Sequence, residues 1–309
     1  MNIILFLTVD KNKKMASENY ISTILVTGAN GQLANEIKSL SHQFINYRFF
    51  FTRKEDLPIE NREALEIFFE KNLVDYCINC AAYTAVDKAE SEREKAFLIN
   101  ADAVGELANI CNAHQTKLIH ISTDYVYDGS KEIALKEENA VAPLNVYGLS
   151  KLKGEELALN KNPSTLIIRT SWVYSSFGNN FVKTMLRLFK EKEEINVVSD
   201  QFGSPTYAAD LADVIMKFIT RIDQGENFSG IVNYCNDGVT NWFEFADEIK
   251  TLVKSNCQIN PIASSSYVTA AKRPQYSVLD TSKIKNLLQL EIPDWKISLQ
   301  KCLQVLNPE

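Results

Sequence analysis

Short apolar runs alternate with amphipathic stretches over the first half of the chain. Thr23-Ile24-Leu25-Val26-Thr27 is a β-rich run of the kind buried in a parallel sheet. A glycine turn follows, and a helix is predicted from there to about Leu40. The pattern then predicts a strand from Tyr47 to Phe51 and a helix from Arg62 to about Lys71, capped by Asn61. Asp75 to Asn79 reads as a third strand. Ser91 is placed to cap a long helix running to about Asn112, with Phe97, Val104, Leu107 and Cys111 on one face. Lys117 to Ile121 is a fourth strand, a helix opens at Tyr147, and Thr165 to Arg169 is a fifth strand. This repetition predicts an α/β fold with a Rossmann-type doubly wound parallel sheet.

The alternation weakens beyond residue 170. Asn179 to Glu191 reads as helix and Asp200 to Thr206 as loop. A helix from Ala208 to Arg221 and a strand from Ile231 to Tyr234 are expected to rejoin the sheet. Asn241 caps another helix, Arg273 to Ser277 is extended, and Asp294 to Leu306 closes the chain as a helix.

Composition removes several classes of function. The chain has 309 residues and 45% hydrophobic content, enough for a substantial core. Its net charge is −6 and it has no long basic run, so nucleic acid is not an expected partner. No apolar run is long enough to span a bilayer. The six cysteines are scattered singly apart from Cys77 and Cys80, a usage that fits a reducing cytoplasm without a disulfide framework. Cys77 and Cys80 are three apart on and beside a strand, so they should face opposite ways and not share a metal. Residues 1–20 are expected to be an extension outside the fold. Their apolar start runs into Asp10-Lys11-Asn12-Lys13-Lys14, a poor secretory signal, and Met15 is an alternative start.

Three stretches carry candidate chemistry. In Gly28-Ala29-Asn30-Gly31-Gln32-Leu33-Ala34, Gly28 permits a tight turn and Gly31 a close approach of backbone to a pyrophosphate. The helix beginning there offers free N–H groups and a positive dipole end to phosphates. Ala34, in the third position, is small enough for helix–strand packing. After the second strand, Thr52 and Arg53 stand where an acid would bind a ribose 2′-hydroxyl. They suit a 2′-phosphate, which favours NADPH and leaves NADH open. Ala81 and Ala82 could floor a flat cofactor.

The second stretch, Ser122-Thr123-Asp124, ends the fourth strand at the edge where parallel sheets bind ligands. The third is Tyr147-Gly148-Leu149-Ser150-Lys151. Its phenol and amine are four residues apart and share one helical face. An ammonium beside the phenol would lower its pKa and prime Tyr147 to protonate a carbonyl.

In this order the features resemble the extended short-chain dehydrogenase/reductase superfamily. Longer blocks narrow the resemblance. They are Asn79-Cys80-Ala81-Ala82-Tyr83-Thr84-Ala85-Val86-Asp87-Lys88-Ala89-Glu90, Ser122 to Tyr127, Pro143 to Gly148, Arg169 to Tyr174 and Asp200 to Thr206. Together they are similar to the dTDP-4-dehydrorhamnose reductase family, from about residue 23 to the C-terminus. That resemblance implies NAD(P)H-dependent reduction of the 4-keto group of dTDP-4-dehydro-β-L-rhamnose to dTDP-L-rhamnose, a step of dTDP-rhamnose biosynthesis for cell-wall polysaccharide.

By the family pattern Tyr147 donates the proton, Lys151 binds the nicotinamide ribose and tunes Tyr147, and Thr123 holds the keto oxygen. Asp124 and Trp172 would contact the sugar nucleotide. Gly31, Gln32, Leu33, Ala82, Tyr83 and Thr84 would line the cofactor, Ile121 would supply backbone near the nicotinamide, and Gly28 and Asn30 would complete the turn. The implied division is an NADP(H)-binding domain over 21–170 with 206–235 rejoining it, and a smaller substrate-binding domain from 171–205 and 236–309.

Some members of the family form a magnesium-linked homodimer through glutamates. Glu36 occupies one such place, but Val305 falls where another is needed, so the metal is not expected. Two other readings compete. One is a non-catalytic, NADP-binding regulatory subunit. The other is a sugar-nucleotide epimerase or dehydratase of the superfamily, although Tyr125 follows Asp124 where a dehydratase would carry a second acid.

Overall fold

The computed structural model describes residues 21–306, and the expected N-terminal extension over 1–20 lies outside them. The first half of the chain runs β1 (Ser22–Thr27), α1 (Gln32–Leu40), β2 (Tyr47–Thr52), α2 (Arg62–Asn72), β3 (Tyr76–Asn79), α3 (Val86–Ala89), α4 (Arg93–Phe97), α5 (Ala103–Ala113), β4 (Lys117–Thr123), α6 (Val146–Lys161) and β5 (Leu166–Thr170). The second half runs β6 (Val173–Tyr174), α7 (Phe181–Glu191), β7 (Glu194–Val198), β8 (Phe202–Gly203), β9 (Thr206–Tyr207), α8 (Ala208–Asp223), β10 (Gly230–Asn233), β11 (Thr240–Asn241), α9 (Trp242–Leu252), β12 (Gln258–Ile262), α10 (Ser282–Leu288) and α11 (Trp295–Leu306).

Six strands form one sheet in the order β10-β5-β4-β3-β1-β2, and every pairing in it is parallel. Burial on both faces explains the short apolar runs Ile24-Leu25-Val26, Tyr76-Cys77-Ile78 and Leu166-Ile167-Ile168 at the heart of β1, β3 and β5, strands in which every residue is buried. One face packs on α1, α8 and α10 through Ile37, Leu211, Ile215, Phe218 and Ile284. The other packs on α2, α5 and α6 through Leu65, Phe69, Leu107, Cys111 and Ala158. The chain reverses direction of winding between β1 and β3, and the crevice outside their carboxyl ends is where a doubly wound sheet binds ligands.

Polar caps set several helix starts. Asn61 Oδ1 accepts from Ala64 N, Asn241 Oδ1 from Glu244 N, and Asn145 Oδ1 from Gly148 N, each satisfying a first-turn donor. The expected cap at Ser91 is not made. Its hydroxyl donates back to Lys88 O, and the helix starts at Arg93. The continuous helix is also broken, because residues Leu98–Asp102 form a wider π-type turn. Asn100 explains the widening: its amide pairs with Tyr83 N and Tyr83 O and donates to Ser150 Oγ, tying this segment to the loop after β3 and to α6.

A third core lies beside the sheet. Tyr174, Val182, Phe245, Trp295 and Leu299 meet there, drawn from β6, α7, α9 and α11. The segment expected to be loop, 200–206, contributes the two short strands β8 and β9, which pair with β11 and β6. Strands β7 and β12 pair in parallel next to them. The C-terminal segment serves both regions, since Ile284 and Leu288 of α10 join the sheet core and α11 joins the third core.

Candidate active site

The glycine turn follows directly from β1. Gly28 has φ of +68°, and a Cβ there would lie 2.7 Å from Ala81 N and 2.8 Å from Cys80 C, so only glycine fits without shifting backbone. Gly31 N donates to Gly28 O at 2.8 Å and closes the turn. Helix α1 begins at Gln32 with no side-chain cap on its first N–H groups. Those donors are available to an anion.

At the other side of the crevice stands α6. Asn145 holds its start by accepting from Gly148 N and by donating from Nδ2 to Lys272 O at 2.8 Å. Glu90 accepts from Val146 N. Deeper in α6, Glu155 forks onto Arg169 of β5 at 2.9 and 2.6 Å and accepts from Ser122 Oγ at 2.5 Å. Both ions of this pair are nearly fully buried, so removing either partner should cost about 3–5 kcal/mol. The pair fixes α6 against β4 and β5, and with it the height of Tyr147 over Thr123.

A groove of about 540 Å³ joins these elements. Asn30, Gly31, Gln32 and Leu33 line one end of it, with Ala82, Thr84 and Ile121 along the floor. Thr123, Asp124, Tyr147, Lys151 and Trp172 line the other. Four expected residues are not in its wall. Gly28 opens the turn and faces the Cys80–Ala81 backbone. Tyr83 packs with Val146 and Ala96, and its ring sits under Lys95. Thr52 is buried at the end of β2, and Arg53 is half-exposed and forked onto Asp56 at 2.7 and 2.9 Å.

The sequence reading gave no site role to Trp242, Cys80, Tyr125 and Val173, which also line the groove. Trp242 stacks on Trp172 with ring centroids 3.5 Å apart, and Trp172 sits at φ +49°, a backbone region unusual for so large a residue. The Asn241 cap pointed at the start of α9. Nothing local showed that the next residue would reach across to β6.

The electrostatics are set by burial. Burial pushes the Tyr147 phenol up to about 12, with Thr123's hydroxyl opposing the rise and Asp124 adding to it. Tyr147 is therefore a protonated donor at neutral pH. The expected priming by an adjacent ammonium is not made directly. Lys151 is fully buried and its Nζ turns to Ile121 O at 2.7 Å and to His120 Nε2 at 3.2 Å. Burial lowers Lys151 to about 8, opposed by Glu155 and Cys80. Asp124 is raised by burial to about 6, against the hydroxyls of Ser277 and Thr123. Its Oδ1 accepts from Thr123 Oγ1, while Oδ2 is buried without a hydrogen-bond partner.

Asp124 yields a stability prediction. Its folded pKa of about 6 lies above the ordinary 3.8, so the folded chain disfavours the carboxylate. The penalty is absent below pH 3.8, grows as pH rises through about 6, and is full above that, on the order of 3 kcal/mol. Asp124→Asn should raise the denaturation midpoint at pH 8, with the gain shrinking as pH falls from 6 towards 4. Urea unfolding across that range measures it, and equal stability of both chains at pH 8 would refute the assignment.

The residues fit a dinucleotide. Thr52 Oγ1 is buried and unpartnered at the end of β2, beside the turn but outside the groove wall. The uncapped start of α1 suits a pyrophosphate. Glu36, the residue considered for magnesium, turns inward. It is 7% exposed and accepts from Ser175 Oγ at 2.5 Å. Cys77 and Cys80 fall into the cores on opposite faces of the sheet.

Comparison with known proteins agrees with this geometry. A family model described as the RmlD substrate binding domain matches residues 22–307. The dTDP-4-dehydrorhamnose reductase of Aggregatibacter actinomycetemcomitans is 37% identical over 287 residues, covering 91% of this chain and 98% of that protein. The crystal structure of a dTDP-4-dehydrorhamnose reductase from Clostridium acetobutylicum superposes with a TM-score of 0.87 at 38% identity, covering 92% of this chain and 99% of that one. The enzyme of the same name from Bacillus anthracis, solved in complex with NADP, gives 0.87 at 36% identity, again over 92% of this chain and 99% of that one. With the glycine turn, the Thr123–Tyr147–Lys151 groove and these matches over nearly the whole described length, this chain belongs to the dTDP-4-dehydrorhamnose reductase family.

Proposed function

We propose that this protein reduces the 4-keto group of dTDP-4-dehydro-β-L-rhamnose to dTDP-L-rhamnose, with NADPH as reductant. The observation that carries the reading is that a protonated, partly buried phenol and a buried hydroxyl, Tyr147 and Thr123, share one groove with a glycine turn suited to phosphate. The reduced nicotinamide supplies the hydride. As negative charge develops on the keto oxygen, Tyr147 and Thr123 both offer it hydrogen bonds, and the Tyr147 proton completes the alcohol. Ile121 and Lys151 hold the ribose side of the site, and Asp124, with Trp172 stacked on Trp242, faces the sugar nucleotide. The third core beside the sheet is the substrate-binding part.

Purified protein mixed with NADPH and dTDP-4-dehydrorhamnose should lose the NADPH absorbance in step with formation of dTDP-rhamnose. Absence of oxidation above background would remove the reductase reading and leave a binding role. For cofactor choice, Arg53 must exchange or share its Asp56 partner to meet a 2′-phosphate. Arg53→Ala should then raise KM for NADPH about tenfold, the size of one lost charge-assisted hydrogen bond, and leave KM for NADH nearly unchanged. Equal effects on both cofactors would place Arg53 in solvent throughout.

A further inference from the structure

Behind Lys151 lies a buried polar line that the proposed chemistry does not use. Thr27 Oγ1 donates to Asn79 Oδ1 at 2.6 Å, Asn79 Nδ2 lies 3.0 Å from His120 Nδ1, and His120 Nε2 lies 3.2 Å from Lys151 Nζ. Thr27, His120 and Asn79 are at most 1% exposed. Each link constrains the next. Ala81 N, a donor that cannot reverse, points at Asn79 Oδ1 and at Thr27 Oγ1, each at 3.3 Å. Turning the amide over would set an NH₂ against that N–H, so Oδ1 stays on the Thr27 side and Nδ2 donates towards the ring. His120 Nδ1 is therefore the acceptor, and the single hydrogen of a neutral imidazole sits on Nε2.

That hydrogen faces Lys151. An ammonium has three donors and no acceptor, so Nε2–H and an ammonium would oppose each other. A neutral amine has a lone pair for Nε2–H and a hydrogen for Ile121 O, which accepts at 2.7 Å. We propose that His120, its tautomer fixed by Asn79, is a positioning residue that donates from Nε2 to Lys151 and favours the amine over the ammonium.

The surroundings agree. Burial holds His120 well below the usual histidine range, so the ring stays uncharged. The other titratable groups around Lys151 are Cys80 beyond β3 and Tyr147 and Glu155 on its own helix, with Asp124 and Tyr125 beyond Tyr147. Cys80 and Glu155 pull Lys151 towards the ammonium, and the Glu155 charge is already matched by Arg169. Burial opposes them, and His120 Nε2, 3.2 Å from Nζ, is the neighbour placed to add to it.

The chain has three histidines, so ring-¹⁵N spectra of the ¹⁵N-histidine-labelled full-length protein contain three rings to assign. His42→Gln and His114→Gln identify the other two. The expected result is a His120 ring with hydrogen on Nε2 and bare Nδ1 that does not titrate across neutral pH. Hydrogen on Nδ1, or a titrating ring, overturns the proposal. This measurement needs no substrate, so it stands whether or not the reductase reading does.

A second arm rests on that reading. If the ammonium assists turnover, activity falls on the alkaline side as Lys151 deprotonates. His120→Phe, lacking the N–H, should move that limb up by about half a pH unit or more at unchanged NADPH affinity. His120→Gln, whose amide N–H reaches the Nε2 position, should restore the wild-type limb. A limb that stays put or moves down in His120→Phe overturns the proposal, because His120 would then not be donating to Lys151.

Discussion

Replacing Tyr147 with Phe is expected to lower kcat about a thousandfold while NADPH affinity stays within about threefold. The phenol has no nearby substitute. Thr123 can still donate a hydrogen bond to a developing oxyanion, but its hydroxyl is far too weak an acid to surrender the proton. Tyr125 is close, with its ring 5.8 Å from that of Tyr147, yet its hydroxyl is partnered with Arg273, whereas that of Tyr147 meets Thr123. Phe preserves the edge contact with Tyr125 and the packing against Val146, so the fold and the cofactor end of the groove should be undisturbed. Stopped-time product analysis gives kcat, and quenching of protein fluorescence gives the NADPH dissociation constant. A kcat within tenfold of wild type would mean that another group, Asp124 first among them, delivers the proton.

The parts of this site that were readable in the sequence are those fixed by short-range geometry. The β1 run, the Gly28–Gly31 turn and the start of α1 are consecutive residues, and each has a steric or dipolar reason for its identity. Tyr147 and Lys151 share a face because a helix repeats every 3.6 residues. The Asn61 and Asn241 caps are equally local. What escaped depends on distant partners. Strands β7 and β12 alternate polar and apolar residues only briefly, as Glu194-Ile195-Asn196-Val197 and Gln258-Ile259-Asn260, too short a pattern to stand out alone, and they become strands by pairing with each other across more than sixty residues. Ser91 looked like a cap because the preference for serine is local, but Asn100 reaches back to Tyr83 and resets where the helix can run. Lys151 has the right spacing to prime Tyr147, yet its end is claimed by Ile121 and His120, two residues of a strand that spacing along α6 says nothing about.

Gly28→Ala carries the other large expected effect, and a second glycine separates its two causes. A residue with a Cβ at positive φ pays roughly 1–2 kcal/mol of backbone strain wherever it sits. At Gly225, with φ +96° and nothing within 4 Å of a built Cβ, that strain is the whole effect. Gly225→Ala should lower stability by about that amount and leave NADPH binding unchanged. At Gly28 the built Cβ also meets Ala81 N at 2.7 Å and Cys80 C at 2.8 Å, both main-chain atoms of the segment leaving β3. No rotamer change relieves that overlap. Either the turn or the Cys80–Ala82 segment must move, and both supply residues, Gly31, Cys80 and Ala82, to the wall of one groove. Gly28→Ala should therefore lose a further 1–3 kcal/mol or so of stability and at least about a hundredfold in NADPH affinity. Urea unfolding and a binding titration on both variants test the pair. A folded Gly28→Ala chain that binds NADPH as wild type does would show that the pyrophosphate is held somewhere other than the turn between β1 and α1.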